Sequence, residues 1–174
     1  ISRLGADVVL AFFGFNSSFD GTIHVERYKK ELDAFLRHTK SIRYNGKDAP
    51  RVALVSPTAV QDLSKVQNTP NGKATNVGLK LSVAASAEVA AKNEVLFVDA
   101  FAPSAGWYAD GKRYTVDGAL LNDAGYRRLA PVLADAIFGK SNAKPSDALR
   151  KKVHAAVQEK NWMWHNDFKV PNGV

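Results

Sequence analysis

The sequence predicts an α/β fold of three layers, a parallel sheet held between helices, and three observations carry that expectation. Nearly unbroken apolar runs rich in valine recur at residues 7–14, 51–56 and 94–99, as expected of strands covered on both faces. Segments with apolar residues at helical spacing separate and follow them, which is the βα alternation of a parallel sheet. Each strand also ends in small polar or turn-forming residues, at the carboxyl edge where ligand sites of open α/β sheets lie.

Taken in order, DVVLAFFG at 7–14 reads as a central parallel strand, and GFNSS after it as a rim turn presenting Asn16. A packing helix follows, with Val25, Tyr28, Leu32, Phe35, Leu36 and Thr39 inward and Glu26, Lys29, Lys30 and Asp33 outward. The NGKD turn at 45–48 leads to the second strand, closed by Pro57. Residues 57–74 form a polar loop long enough to suggest the rim of a site. A helix capped by Thr75 or Asn76 then places Val77, Leu81, Ala84, Ala85 and Val89 on the sheet and ends at Asn93. The third strand delivers Asp99 to the carboxyl edge. In the following connection, Trp107 and Tyr108 either pin the loop to the sheet or line a substrate groove.

The helix after Asn122 carries Tyr126, Ala130, Leu133, Ala134 and Ile137 on one face and stops at Gly139. Pro131 inside it removes one backbone hydrogen bond, so a kink is expected near Arg127 or Arg128. Lys144-Pro145-Ser146 opens a last helix, with Leu149, Val153, Ala156 and Val157 inward. Its aromatic end, Trp162, Met163, Trp164 and Phe168, is expected to pack on the main domain or to begin a linker. The organisation expected is a main domain over 1–142 and an extension over 143–174.

Composition narrows the function. A chain of 174 residues, 45% hydrophobic, supports one ordinary core. The formal charge of +7 comes from basic residues spread along the whole chain without aromatic interleaving, the pattern of a solvated surface rather than of nucleic-acid binding. The absence of cysteine removes disulfides, thiolate chemistry and zinc–cysteine sites. No apolar run approaches the roughly 18 residues of a membrane span, and no cofactor motif is present. The opening ISRLGAD reads as the last turn of a helix, so a fragment or processed product is expected.

Two stretches carry chemistry. GFNSSF after the first strand and DGALLNDAGY before the helix at 122 resemble the SGNH (GDSL-type) hydrolases, over about residues 1–140. The resemblance implies a flavodoxin-like α/β/α fold whose first strands lie upstream of this chain, and ester hydrolysis. The family's Gly-x-Asn-Asp block falls on Gly14-Phe15-Asn16-Ser17, making Asn16 the donor to the oxyanion, with Gly14 and Ser17 beside it; Ser17 replaces the usual Asp. Such a donor is worth about 3–4 kcal/mol of barrier. The alternative is that Asn16 simply suits an awkward turn, and Asp117 at the other motif favours the site reading.

The family's Asp-x-x-His block gives Asp117 as the triad acid, followed by Leu121-Asn122 and Gly125-Tyr126. Its histidine position is Leu120. Leucine has no basic nitrogen, and loss of the base from such a triad costs on the order of a million-fold in turnover. Among the four histidines, His38 and His154 read as solvated, while His24 near the rim and His165 in the aromatic tail are the candidate replacements.

The family's Gly-Asp-Ser nucleophile block and its oxyanion glycine do not occur in the chain and are expected upstream. Without a neighbouring strand, residues 8–13 would form an exposed apolar edge. The tail from Leu149 to Phe168 resembles the segment following the SGNH-like domain of large exported bacterial multidomain proteins. That implies an extracytoplasmic location, an ester or carbohydrate-ester substrate and further domains in the same protein. Two functions are expected from these features: an SGNH-type ester hydrolase, or a degenerate, non-catalytic binding or scaffold domain of the same fold.

Overall fold

The computed structural model describes residues 5–20, 25–140 and 145–168. It divides into two compact units, Ile1–Lys140 and Ser141–Val174. The first unit holds three parallel strands, β1 (Val8–Phe12), β2 (Arg51–Val55) and β3 (Leu96–Val98), in that spatial order. Leu10 stands opposite Ala53, and Ala53 opposite Leu96. Four helices accompany them: α1 (Val25–Ser41), α2 (Lys73–Lys92), α3 (Phe101–Trp107) and α4 (Asp123–Phe138).

The strand period of two sorts the sheet into two faces. Ala11, Val52 and Leu54 meet Leu32 and Leu36 of α1 and Val89 and Ala90 of α2 on one face. On the other, Val55 and Val98 pack with Leu121 and with Leu129, Val132 and Leu133 of α4. Helices on both faces of a parallel sheet make the expected three layers. α4 passes Pro131 without interruption.

Several local expectations are corrected. β1, read as central, is at an edge among the described residues: it pairs with β2 alone. An apolar run reports that both faces could be covered but says nothing of how many neighbours a strand has. α2 starts at Lys73 after Gly72, whose φ of +72° turns the chain, rather than at Thr75 or Asn76. Its buried face comprises Gly78, Leu79, Ser82, Ala85, Ser86, Val89 and Ala90, while Val77 and Ala84 are exposed. Small residues, two of them serines, permit a close approach that larger apolar residues would block. The apolar face read into α4 is shifted in the same way, since Gly125 and Leu129 are buried and Tyr126 and Ala130 exposed.

Asp33, expected outward on α1, is buried. Its carboxylate accepts from Asn93 Nδ2 at 2.8 Å and is flanked by Arg37 at 3.0 Å and Lys92 at 3.1 Å. The Asn93 hydrogen bond, followed by the Lys92 contact, holds it below the usual carboxylate range. A charge at that depth is tolerated because it is both paired and hydrogen-bonded.

In the second unit, α5 (Asp147–Phe168) is the one described element. Leu149, Val153, Ala156 and Val157, expected inward, are exposed, as are Trp162, Met163 and Trp164.

Candidate active site

The site is assembled at the carboxyl end of β1 from two turns distant in sequence. The first leaves β1 through Gly14, whose φ of +111° is rarely adopted by other residues and whose added Cβ would stand 3.2 Å from Tyr28 Oη. Residues Asn16–Asp20 then close a 3-10 turn, in which the Ser18 amide and hydroxyl both donate to the Phe15 carbonyl, at 3.1 and 2.6 Å. The turn sits directly on α2, where Gly78 leaves room for the Ser18 carbonyl. Asn16 is exposed, and its amide has no hydrogen-bond partner among the described residues. With Ser17, Phe12 and Tyr28 it lines a cavity of about 250 Å³.

The second turn spans Thr115 to Leu121, which form an isolated antiparallel bridge. Val116 N donates to Leu120 O at 2.7 Å, and Asn122 N to Tyr114 O at 2.9 Å. Gly118 has φ +98°, and a Cβ there would stand 2.9 Å from the Gln61 carbonyl. Inside the turn, Asp117 Oδ1 accepts the amides of Leu120 at 2.8 Å and Ala119 at 2.9 Å. Those two hydrogen bonds, Leu120's first, hold the Asp117 carboxylate below its ordinary pKa. Asn122 Oδ1 caps α4 through the Gly125 amide at 3.0 Å, while its Nδ2 donates to Arg113 O at 3.0 Å. Gly125 lies against the Tyr114 carbonyl, where a Cβ would overlap. Much of DGALLNDAGY is thereby explained by local construction.

Gln61, which the sequence did not single out, braces this turn from the long loop. Buried, it donates from Nε2 to Lys112 O at 2.6 Å and accepts from Tyr114 N and Thr115 Oγ1, each at 3.0 Å. Its own amide donates to Gly118 O at 2.8 Å. The loop carrying it is tied down by Asn76, whose side chain bonds both the amide and the carbonyl of Val60, at 2.8 and 2.9 Å. Nothing in sequence spacing distinguishes Gln61 from the loop's other polar residues.

Leu120 is 64% exposed. Together with Phe12, Phe15, Pro57, Tyr126 and Leu129 it lines an apolar cavity of about 520 Å³. Phe12, Phe15 and Pro57 also wall the Asn16 cavity, so the two turns flank adjoining spaces. Asn16 and the apolar wall that Leu120 completes thus line adjoining cavities, and the Asp117 carboxylate belongs to the turn that carries Leu120.

Other candidates are placed elsewhere or occupied. Asp99, at the end of β3, accepts the amides of Phe101 and Ala102 at the start of α3, at 2.8 and 3.1 Å. Ser56 Oγ accepts from Ala100 N at 2.9 Å and Phe101 N at 3.2 Å while donating to Pro57 O, which leaves it bound into the backbone rather than poised as a nucleophile. Trp107 packs on the α4 core, and Tyr108 donates to Ala59 O at 2.9 Å, with burial pushing its hydroxyl up to about 12. Both therefore pin their loop. His38 is exposed on the last turn of α1, His154 and His165 are exposed on α5, and His24 lies outside the described residues. Among the described residues no group of three or more His, Asp or Glu is arranged to hold a metal ion.

No protein-family model and no curated protein sequence matches the chain. Solved structures do. The acetylxylan esterase Axe2 from Geobacillus stearothermophilus is 16% identical with a TM-score of 0.57, over 84% of this chain and 65% of its own. A protein described as a GDSL-like lipase, from Parabacteroides merdae, is 18% identical with a TM-score of 0.61, over 80% of this chain and 63% of its own. The lipase/acylhydrolase from Enterococcus faecalis is 22% identical with a TM-score of 0.54, over 80% and 65%. The chain therefore has the α/β/α fold of the SGNH (GDSL) hydrolases and spans about 65% of the length of the structures it matches.

Proposed function

We propose that this chain, with its SGNH-hydrolase fold, supplies part of the active site of an ester hydrolase. The observation that supports this most is the convergence of the Asn16 and Asp117–Leu120 turns on adjoining cavities at the carboxyl end of β1. A serine from a part of the polypeptide outside this chain would attack the ester carbonyl. Asn16 Nδ2, without a hydrogen-bond partner among the described residues, would donate to the oxygen as it becomes anionic. Asp117, kept ionised by the Leu120 and Ala119 amides, would orient and stabilise the cationic form of the base. The fold is shared with esterases and lipases, among them an acetylxylan esterase, which supports small esters or carbohydrate esters as substrates. The resemblance of the tail to that of exported multidomain proteins supports an extracytoplasmic location.

One observation favours a second reading, a binding or scaffold domain without catalysis. Leu120, at the position of the base, is an apolar wall of the larger cavity. The two readings separate in an assay of p-nitrophenyl acetate and acetylated xylo-oligosaccharide hydrolysis by the complete gene product. Turnover that falls about 10²–10³-fold in Asn16→Ala, the range for one oxyanion donor, supports the hydrolase. Turnover that emerges only in Leu120→His supports a degenerate site, and turnover unchanged by Asn16→Ala refutes the role assigned to Asn16.

A further inference from the structure

The 3-10 turn that carries Asn16 presents a second side chain beside it. In a 3-10 helix, residues three apart stand one above the other, so Phe19 projects on the same side of Asn16–Asp20 as Asn16 does. Phe19 is 64% exposed. Its neighbour in space is Phe15: the ring centroids are 5.6 Å apart and the planes meet at 80°, an edge-to-face contact. Whichever ring supplies the edge, at least one face of Phe19 stays uncovered by Phe15.

The ring is firmly mounted. Phe15 packs against the buried Ala59, Leu79 and Phe101, so Phe19 leans on a side chain that is itself anchored in the core. Between the two, the Ser18 amide and hydroxyl hold the Phe15 carbonyl, and the Ser18 carbonyl rests on α2 at Gly78. A ring fixed in this way loses little freedom when a ligand meets it. Phe19 also stands outside both cavities that adjoin at the rim, and its open face is turned to solvent rather than into an apolar enclosure.

That setting selects the chemistry of the ligand. A hydrocarbon chain gains most where apolar walls enclose it on several sides. A sugar ring needs only one apolar surface: the C–H groups of one face are slightly positive and meet the negative face of the aromatic ring, while the hydroxyls around its edge stay in water. We infer that Phe19 is the platform for the sugar ring of a carbohydrate ester, stacked beside Asn16 while the ester carbonyl accepts from Asn16 Nδ2. This rests on the reading of Asn16 as the donor to that carbonyl. The sugar is then the alcohol part of the ester, and Phe19 sets the preference for it over esters of simple alcohols.

Kinetics of the complete gene product on acetylated xylo-oligosaccharide and on ethyl acetate, which shares the reacting group but has no ring, test the assignment. In Phe19→Leu the ratio of kcat/KM for the sugar ester to that for ethyl acetate is expected to fall by about tenfold, the upper range for one aromatic contact. The fall lies in KM, because a platform away from the reacting atoms binds ground and transition states alike. Phe19→Tyr, which keeps the ring, keeps the ratio. A ratio unchanged in Phe19→Leu overturns the inference, whether both rates stand or both fall together, the latter making the ring a support of the turn. Hydrolysis of ethyl acetate alone by the wild type also overturns it. Hydrolysis of neither ester refutes the hydrolase reading instead, and calorimetric titration with acetylated xylo-oligosaccharide then decides the platform by itself. Binding about tenfold weaker in Phe19→Leu than in the wild type supports it, and absent or equal binding overturns it.

Discussion

A Cβ on Gly78 would overlap the carbonyl oxygen of Ser18, so the turn that presents Asn16 rests directly on the backbone of α2. The backbone oxygen cannot swing aside as the end of a flexible side chain could. Gly78→Ala is expected to lift the 3-10 turn and to destabilise the protein by about 1–3 kcal/mol, the usual range for overpacking. Urea unfolding measures the loss. If the protein is a hydrolase, kcat falls further than the Asn16-independent binding of substrate, because the amide donor is displaced rather than removed.

Gln61 links the long loop to the Asp117 turn through three side-chain hydrogen bonds. Gln61→Leu preserves bulk but leaves Lys112 O, Tyr114 N and Thr115 Oγ1 without that partner. Each buried polar group left unpaired costs about 1–3 kcal/mol, so a loss on the order of 3 kcal/mol is expected after relaxation. A loss of unfolding free energy below about 1 kcal/mol in urea titrations would show that the turn is held by its own glycine and β-bridge contacts instead.

Asp117 makes a specific pH prediction. Its folded pKa is depressed by the Leu120 and Ala119 amides, so its contribution to stability is fully present above the unfolded value of about 3.9 and disappears as pH falls through the lower folded value. Asp117→Asn keeps an oxygen acceptor but cannot titrate. The Tm of the variant is expected to fall less steeply than that of the wild type below about pH 4, while the two curves run parallel between pH 6 and 8. Calorimetric scans across that range decide it, and identical slopes below pH 4 would remove Asp117 from the acid response.

Periodicity served well where one neighbour decides the outcome and poorly where several compete. The three apolar strands and the alternating helices were legible because burial on two faces demands apolar residues throughout. The inward face of α2 was misread because Gly78, Ser82 and Ser86 pack by being small, which a hydrophobic pattern does not register. Asp33 was misread because its partners Asn93 and Lys92 are remote in sequence, and only the fold brings them to α1.

The two site motifs divide in the same way. Asn122 as the α4 cap and the glycines of both turns follow from short-range chemistry: a cap bonds an amide three residues on, and a positive φ favours glycine. Which residues face one another across the rim does not follow from such rules. Asn16 and Leu120 share a rim because β1, β2 and α4 converge there, and Gln61 reaches Thr115 because the long loop folds back over α3. Local hydrogen bonding can be read along a chain; the meeting of distant segments depends on how sheet and helices pack.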